Sequence, residues 1–198
     1  MDSKRAYHHG DLRPALIAAA MAAVERGGPE AVSLRELAEQ LGVSRAAPYR
    51  HFADRRALLA AVAALGFVDL AAAYARAQAD APDPRAALRE TARAYLALAF
   101  GRPGLFRLMF DSDLLGPDAP VSLLRPAGEA WAGLRRAVAA IDPDATPRDV
   151  ARRTISGWST LHGFIALVQG GRLKGFMTEP LSESELVEAI IDKTLRPD

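Results

Sequence analysis

The chain has 198 residues, of which 50% are hydrophobic and 7% aromatic, and this is enough for a buried core in one or two domains. It contains no cysteine, which excludes a disulfide framework, a thiolate nucleophile and cysteine metal ligands. The formal net charge is only +1, so the total charge indicates neither a nucleic acid nor an acidic partner.

The charge distribution is more informative than the total. Residues 1–56 carry nine Lys/Arg and seven Asp/Glu, or +2, whereas the remainder carries sixteen and seventeen, or −1. Arg45, Arg50, Arg55 and Arg56 have only Asp54 as an acidic neighbour along the chain. The first residues are polar and contain no signal sequence, so we expect a cytoplasmic protein.

A first helix is predicted after the basic residues Lys4 and Arg5. Asp11 is a candidate cap, and Pro14 falls in the first turn, where an amide proton is not needed. Apolar residues then recur at helical spacing until the pair Gly27-Gly28, which indicates a supporting helix that ends there.

Two short helices joined by a tight turn are predicted between Ser33 and Phe52. Ser33 is placed to cap the first in a reciprocal capping box with Glu36, and Gly42 provides the positive φ that a sharp reversal requires. Ser44 is a candidate cap for the second, which exposes Arg45, Tyr49 and Arg50. Pro48 would remove the first hydrogen bond of that helix, so its start is expected to be a tighter turn. A helix-turn-helix of this kind places its second helix in the major groove of DNA.

A long helix is predicted from Asp54, its candidate acidic cap, to about Asp80. At about 1.5 Å per residue it would extend about 40 Å, enough to join a small head to a separate body. Further helices are predicted in the body, after Asp83-Pro84, over the apolar run 105–110, and around Leu123 to Val138. No alternating, β-branched run is present, so the body is expected to be helical throughout.

Two more helices are predicted at the end of the chain. One begins at the cap Thr146-Pro147 and continues to Gly170-Gly171, and the other begins at the capping box of Ser182 and Glu185. Residues 154–171 contain no Asp, Glu, Lys or Arg, but their Ser, Thr, His and Gln residues make them too polar for a membrane span. Both helices suit a four-helix dimer interface, and packing inside a monomer is the alternative.

Three stretches carry a family resemblance. The run G-V-S-R-A-A-P-Y-R-H-F-A-D-R-R-A-L-L, residues 42–59, resembles the end of the DNA-binding domain of tetracycline-repressor-type (TetR) transcriptional regulators. G-W-S-T-L-H-G, residues 157–163, is similar to the signature of a subgroup with a WHG-type ligand domain. Together with the third stretch, Y-H-H-G-D-L at residues 7–12, the matches span most of the chain.

The resemblance implies an all-α fold of about nine helices. Residues 8–68 would be a three-helix helix-turn-helix DNA-binding domain, and residues 69–198 a larger helical effector-binding and dimerisation domain. It also implies a homodimeric repressor that binds a near-palindromic, double-stranded DNA operator and is released by a small apolar or amphipathic effector. A dimeric sensor or scaffold without DNA-binding function is the alternative.

Candidate site residues follow from these expectations. The expected DNA-binding set comprises the caps, the exposed face of the second reading helix and the basic residue that matches the family's phosphate contact: Ser33, Ser44, Arg45, Ala46, Tyr49, Arg50, His51 and Arg55. The expected effector contacts are the aromatic residues of the body that bring apolar surface and a few polar tips: Tyr95, Phe106, Phe110, Trp131, Trp158 and His162. At these spacings the aromatic residues could also be solid core, and His162 a packed histidine.

No catalytic, cofactor or metal site is predicted. Ser159 and His162 have no aligned acid that would complete a triad, and Gly157-Trp158-Ser159 lacks the second glycine of a nucleophile elbow. An enzyme is therefore not expected.

Overall fold

The computed structural model describes residues 12–195, and within them the chain is helical, with no strand. Lys4, Arg5, Asp11 and the Y-H-H-G-D part of the first motif lie outside these residues. Three short 3-10 helices occupy Pro29–Ala31, Pro48–Arg50 and Asp113–Leu115. The α-helices are α1 (Leu12–Gly27), α2 (Leu34–Gln40), α3 (Arg55–Asp80), α4 (Pro84–Gly101), α5 (Pro103–Phe110), α6 (Val121–Ala139), α7 (Pro147–Gln169), α8 (Gly175–Thr178) and α9 (Glu183–Leu195).

Helix starts coincide with the predicted caps. The amide of Asp149 donates to Thr146 Oγ1 at the start of α7, at 3.2 Å. Before α9, the amide of Glu185 donates to Ser182 Oγ at 3.3 Å, and the Ser182 amide donates to Glu185 Oε2 at 2.8 Å, which is the predicted reciprocal box. Asp54 caps α3 by accepting from the amide of Ala57 at 2.7 Å. Local sequence therefore determines where these helices begin.

Two compact units make up the structure. The first contains residues 12–67 together with Arg102–Ala127, and the second contains Val68–Gly101 together with residues 128–195. Two helices, α3 and α6, contribute residues to both units. Residues 102–127 pack with the N-terminal residues, because α5 contacts α1 and the 3-10 helix after it.

The core of the first unit forms between α1, α2, α5 and the first half of α3. Leu16, Val24, Leu58 and Val62 are fully buried there. Helix α5 approaches α1 closely, since a Cβ at Gly104 would collide with the carbonyl oxygen of Val24. Only glycine allows this separation between the two helices.

The second unit is built around α4, α7 and α9, which contact one another pairwise. Ile165 of α7 and Ile191 of α9 are almost fully buried, as is Tyr74 from the second half of α3. Burial raises the pKa of the Tyr74 hydroxyl far above its usual value, with a further contribution from Tyr95. Tyr74 therefore remains neutral and behaves as a core residue.

One helix of the described residues, α3, is long and apolar enough to cross a membrane by length and composition alone. Half of its most apolar window is buried inside the protein, and a core helix passes the same test.

Candidate nucleic-acid interface and cavity

The turn after α2 has the geometry that was predicted for it. Gly42 has φ +66°, and its amide donates to the carbonyl of Glu39 at 3.1 Å. The amide of Val43 donates to the carbonyl of Ala38 at 2.9 Å, so the two bonds form a Schellman motif that satisfies the last carbonyls of α2. At the start of α2, the amide of Glu36 donates to Ser33 Oγ at 3.4 Å, which is the forward half of the predicted capping box.

The segment that follows, residues 44–52, is here called the reading segment. It is a turn followed by the 3-10 helix Pro48–Arg50, rather than the predicted α-helix beginning after Ser44. In an α-helix the amide of residue 48 would donate to Ser44 O, but proline has no amide proton. The amide of Ala47 donates to Ser44 O instead, at 2.9 Å, and the chain turns more tightly.

The reading segment has one inward and one outward side. Pro48 and Phe52 are buried, and the guanidinium carbon of Arg13 lies 5.1 Å from the centre of the Phe52 ring. The outward side is formed by exposed residues of the predicted DNA-binding set, namely Ser44, Arg45, Ala46, Tyr49 and Arg50. Two further members of that set, Ser33 and His51, are half-buried. Five of the predicted residues are therefore presented together on one surface.

Arg55 has partners inside its own unit. Its Nε donates to the carbonyl of Val32 at 2.8 Å, and its Nη2 donates to the carbonyl of Pro29. These bonds connect the start of α3 to the segment between α1 and α2, and they leave Nη1 for other contacts.

Arg56 is paired as well, although the sequence shows no acid near it besides Asp54. Its Nη1 lies 2.6 Å from Asp113 Oδ2, and its Nη2 donates to the carbonyl of Asp113 at 2.9 Å. Because Arg55 and Arg56 both have internal partners, the arginines that face solvent from the reading segment are Arg45 and Arg50.

Four of the six predicted effector contacts lie together in the second unit. Trp158 Nε1 donates to the hydroxyl of Tyr95 at 3.0 Å, and that hydroxyl lies 2.9 Å from His162 Nδ1. The rings of Trp158 and His162 stack at 5.1 Å, and Trp131 meets Trp158 edge to face at 6.0 Å. Tyr95 is buried, whereas Trp131, Trp158 and His162 are half-buried, so this aromatic network extends from the core of the second unit towards its surface.

The other two predicted contacts, Phe106 and Phe110, belong to the first unit. Their ring centres are 4.9 Å apart, and Phe110 also meets Phe67 edge to face at 5.3 Å. They pack α5 against α3 within that unit and are not part of the aromatic network around Tyr95.

A partly open cavity of about 100 Å³ lies in the second unit, between α4, α6, α7 and α9. Its lining includes one predicted residue, Trp158. The apolar part of the lining comprises Leu88, Ala92, Leu134, Val138, Ile141 and Leu161. The polar part comprises Arg153, Thr154, Ser156, Thr160, Lys193 and Thr194, with Gly157 beside them.

Arg153 and Lys193 were not singled out from the sequence. Arg153 Nη1 donates to Asp142 Oδ2 at 3.0 Å, and its Nε is buried with no acceptor among the described residues. No local signal marks this arginine, because its neighbour Arg152 has the same character and is more exposed. Only the packing of α7 against α6 and α9 distinguishes the two.

Two family models match the sequence. One, described as bacterial regulatory proteins of the tetR family, matches residues 16–62. The other, described as the C-terminal domain of tetracyclin repressor-like proteins, matches residues 88–194. The second model alone covers more than half of the chain. No curated protein sequence matches the chain significantly.

Solved structures also resemble it along nearly the whole length. A protein of unknown function from Rhodococcus sp. RHA1 is 35% identical, with a TM-score of 0.81 and 98% of both chains covered. The TetR family transcriptional regulator PfmR from Thermus thermophilus is 26% identical, with a TM-score of 0.60, 91% of this chain and 96% of its own covered. The regulator FadR from Bacillus subtilis, solved with stearoyl-CoA, is 13% identical and shares the fold, with a TM-score of 0.63, 92% of this chain and 97% of its own covered.

Proposed function

The chain belongs to the TetR family of transcriptional regulators, and from that membership we propose that it is a homodimeric repressor released from its operator by a small apolar or amphipathic effector. Members of this family are DNA-binding regulators of transcription, and this protein is therefore one as well. The proposal adds the residues that read DNA, the dimer surface and the effector site. It includes residues 8–68 as the DNA-binding domain and a cytoplasmic location, while the WHG-type subgroup stays a prediction.

The exposed side of the reading segment supports the proposed DNA contact. Arg45 and Arg50 are exposed cations, and each guanidinium can donate two hydrogen bonds to the O6 and N7 acceptors of guanine. Tyr49 is 57% exposed, a large value for an aromatic residue, and its hydroxyl suits a phosphate contact. The single observation that carries the proposal is this cluster on one side of a turn whose other side is anchored by Pro48 and Phe52.

The internal bonds of Arg55 define its proposed part in the interface. With Nε and Nη2 engaged by backbone carbonyls, Arg55 is a positioning residue that can still offer Nη1 to a phosphate at the start of α3. Ser33 and Ser44 are proposed to act in the same region, Ser33 as the cap of α2 and Ser44 at the start of the exposed turn.

A dimer surface is proposed on the exposed side of α7. Ile155, Ser159, Gly163 and Leu167 lie four residues apart and therefore form one stripe along the helix, and all are exposed. A Cβ at Gly163 would meet nothing within 4 Å in the protomer, so this face can accept a closely packed partner helix. Helix α9 would join it through Leu186, Val187 and Ile190, which are half-buried. Such a dimer would space two reading segments by about 34 to 36 Å, one turn of DNA.

Gel-shift measurements with DNA from the promoter of the protein's own gene test this function. We expect a salt-sensitive complex that Arg50→Ala and Arg45→Ala weaken, because each removes one exposed cation from the reading segment. Arg85→Ala is the matched control, since Arg85 is also an exposed arginine but lies in the second unit. Free DNA at low salt with the unaltered protein would favour the alternative of a sensor or scaffold without DNA binding.

A further inference from the structure

The cavity of the second unit combines an apolar body with two cations at its edge. Its apolar lining comes from α4, α6, α7 and Ile141 after α6, while Arg153 of α7 and Lys193 of α9 add positive charge. No lining residue is acidic. Asp142 already pairs with Nη1 of Arg153, so a ligand could use the charge of Lys193 and those donors of Arg153 that Asp142 does not occupy.

Arg153 retains unused hydrogen-bonding capacity. One of its nitrogens, Nη1, donates to Asp142, whereas Nε is buried without an acceptor among the described residues. Buried donors in native proteins almost always have a partner, because an unpaired one costs free energy. After a rotation of the Arg153 side chain that brings Nε to the cavity, a carboxylate oxygen of a ligand would provide the missing acceptor, and a bond to two nitrogens of one guanidinium has a favourable geometry.

Lys193 is left available by the pairing of the acids on its own helix. Glu188 and Asp192 both bind Arg89 of α4, at 2.9 Å for Glu188, and Glu188 also binds Arg93. The bond to Glu188 raises the pKa of Arg93 above its usual value, which keeps this pair charged. Among the described residues Lys193 has no ion-pair partner, although it lines the cavity and is exposed at its edge.

We infer that this cavity binds a small organic anion, with its carboxylate at Arg153 and Lys193 and its apolar part against Ala92, Leu134 and Leu161. The volume of about 100 Å³ is smaller than the apolar cavity of about 150 Å³ that is known to hold one benzene ring, so a single ring fits only because this cavity is partly open and the charged end of the ligand stays at its edge. A one-ring or short-chain carboxylate fits, and a long acyl chain does not. The inference rests on the proposed function, since it names the chemical class of the effector.

Calorimetric titration of the full-length protein with benzoate and with benzamide tests the inference. The two compounds have similar size and shape, but only benzoate carries a charge. We expect benzoate to bind with a Kd of about 1 mM or tighter, and benzamide to bind at least about tenfold more weakly. Equal binding of the two compounds, or no saturable binding of benzoate, would overturn the inference.

Variants place the ligand in the cavity. Lys193→Gln changes an exposed side chain, so it should fold normally and weaken benzoate binding about tenfold, and Arg153→Lys should do the same while keeping the charge. Arg152→Gln is the control, because Arg152 does not line the cavity. This variant should bind benzoate with the same affinity as the unaltered protein. Unchanged affinity in both Lys193→Gln and Arg153→Lys would place the anion elsewhere and contradict the inference.

Narrowing the cavity gives an independent test of position. A Cβ at Gly157 would lie 3.6 Å from Thr194 Cβ, an ordinary contact, so Gly157→Ala should fold while reducing the space for a ligand. Gly128→Ala is the control, because Gly128 lies in a helix, has open space around it and does not line the cavity. Weaker benzoate binding in Gly157→Ala alone is expected, and equal affinities in both variants would count against this cavity.

A gel shift in the presence of benzoate separates the inference from the proposed function. If benzoate binds but the operator complex persists, the anion site stands and release by this effector class is wrong. If the operator is bound and no anion binds, the inference fails while the DNA-binding function is unaffected.

Discussion

The two units differ in how their polar groups are used. In the first unit, Arg55 is bound by the carbonyls of Pro29 and Val32 and Arg56 by Asp113, so two charges whose only acidic neighbour in the sequence is Asp54 hold the fold together. In the second unit, Arg153 keeps a buried nitrogen without an acceptor beside a cavity. Internal bonds therefore position the surface that we propose for DNA, while Arg45 and Arg50 stay exposed on it, whereas the cavity of the second unit is bordered by an arginine with an unpaired buried nitrogen.

Gly104→Ala gives the largest expected effect and tests how tightly the first unit is packed. Its Cβ would collide with the carbonyl oxygen of Val24, so α1 and α5 must separate, which we expect to cost about 3 kcal/mol or more of the free energy of unfolding. Gly128→Ala, in α6 with open space around it, should be neutral or slightly stabilising by up to about 1 kcal/mol. Denaturant unfolding measures both. Similar stabilities for the two variants would show that α5 does not pack on α1 in this way.

Arg55→Ala and Arg56→Ala compare two arginines that are adjacent in sequence. Arg55→Ala removes two bonds to backbone carbonyls and should cost about 1 to 3 kcal/mol. Arg56→Ala removes an ion pair whose Asp113 side chain is 85% exposed, so its loss should cost less than about 1 kcal/mol.

Thermal unfolding of the two arginine variants measures this difference. The salt dependence of DNA binding then tests whether Arg55 also contacts a phosphate, because a lost phosphate contact reduces the slope by about one. A more damaging Arg56→Ala would contradict the assignment of Arg55 as the positioning residue.

The smallest expected effect concerns the pKa of the Glu185 carboxyl, at the start of α9 in the second unit. Hydrogen bonds from the side chain and amide of Ser182 hold the pKa of its carboxyl below the usual value. A group whose pKa is lowered by folding stabilises the folded state above its unfolded pKa, and this contribution is lost as the pH falls through the folded pKa.

An NMR titration of the Glu185 carboxyl should therefore show a midpoint below that of an ordinary glutamate. In Ser182→Ala the midpoint should return towards the ordinary value, because the hydroxyl contact of 2.6 Å is removed. An unchanged midpoint in Ser182→Ala would show that the capping box does not bind this carboxylate.

Features set by neighbouring residues were predictable from the sequence. The caps at Ser33, Asp54, Thr146 and Ser182 and the positive φ of Gly42 depend on residues within five positions, and the structure contains all of them. The all-α fold and the family were predicted from the same local patterns.

Contacts between distant residues were not predictable in the same way. Arg56 and Asp113 are 57 positions apart, and Tyr95 and His162 are 67 apart, so no local pattern indicates either pair. The grouping of Phe106 and Phe110 with the first unit also depends on the close approach at Gly104, and glycine has many other uses. The reading segment is an intermediate case, since Pro48 predicted a tighter turn but not that the 3-10 form would extend over Pro48–Arg50.

Selection of preferred DNA sequences from a random pool tests the central claim most directly, namely that the exposed side of the reading segment reads DNA. The unaltered protein should select a near-palindromic site, and Arg45→Ala or Arg50→Ala should relax the preference at one symmetric pair of positions, by about 1 to 3 kcal/mol for a lost guanine contact. Arg85→Ala should select the original site. Selection of the same site by both Arg45→Ala and Arg50→Ala would contradict the account.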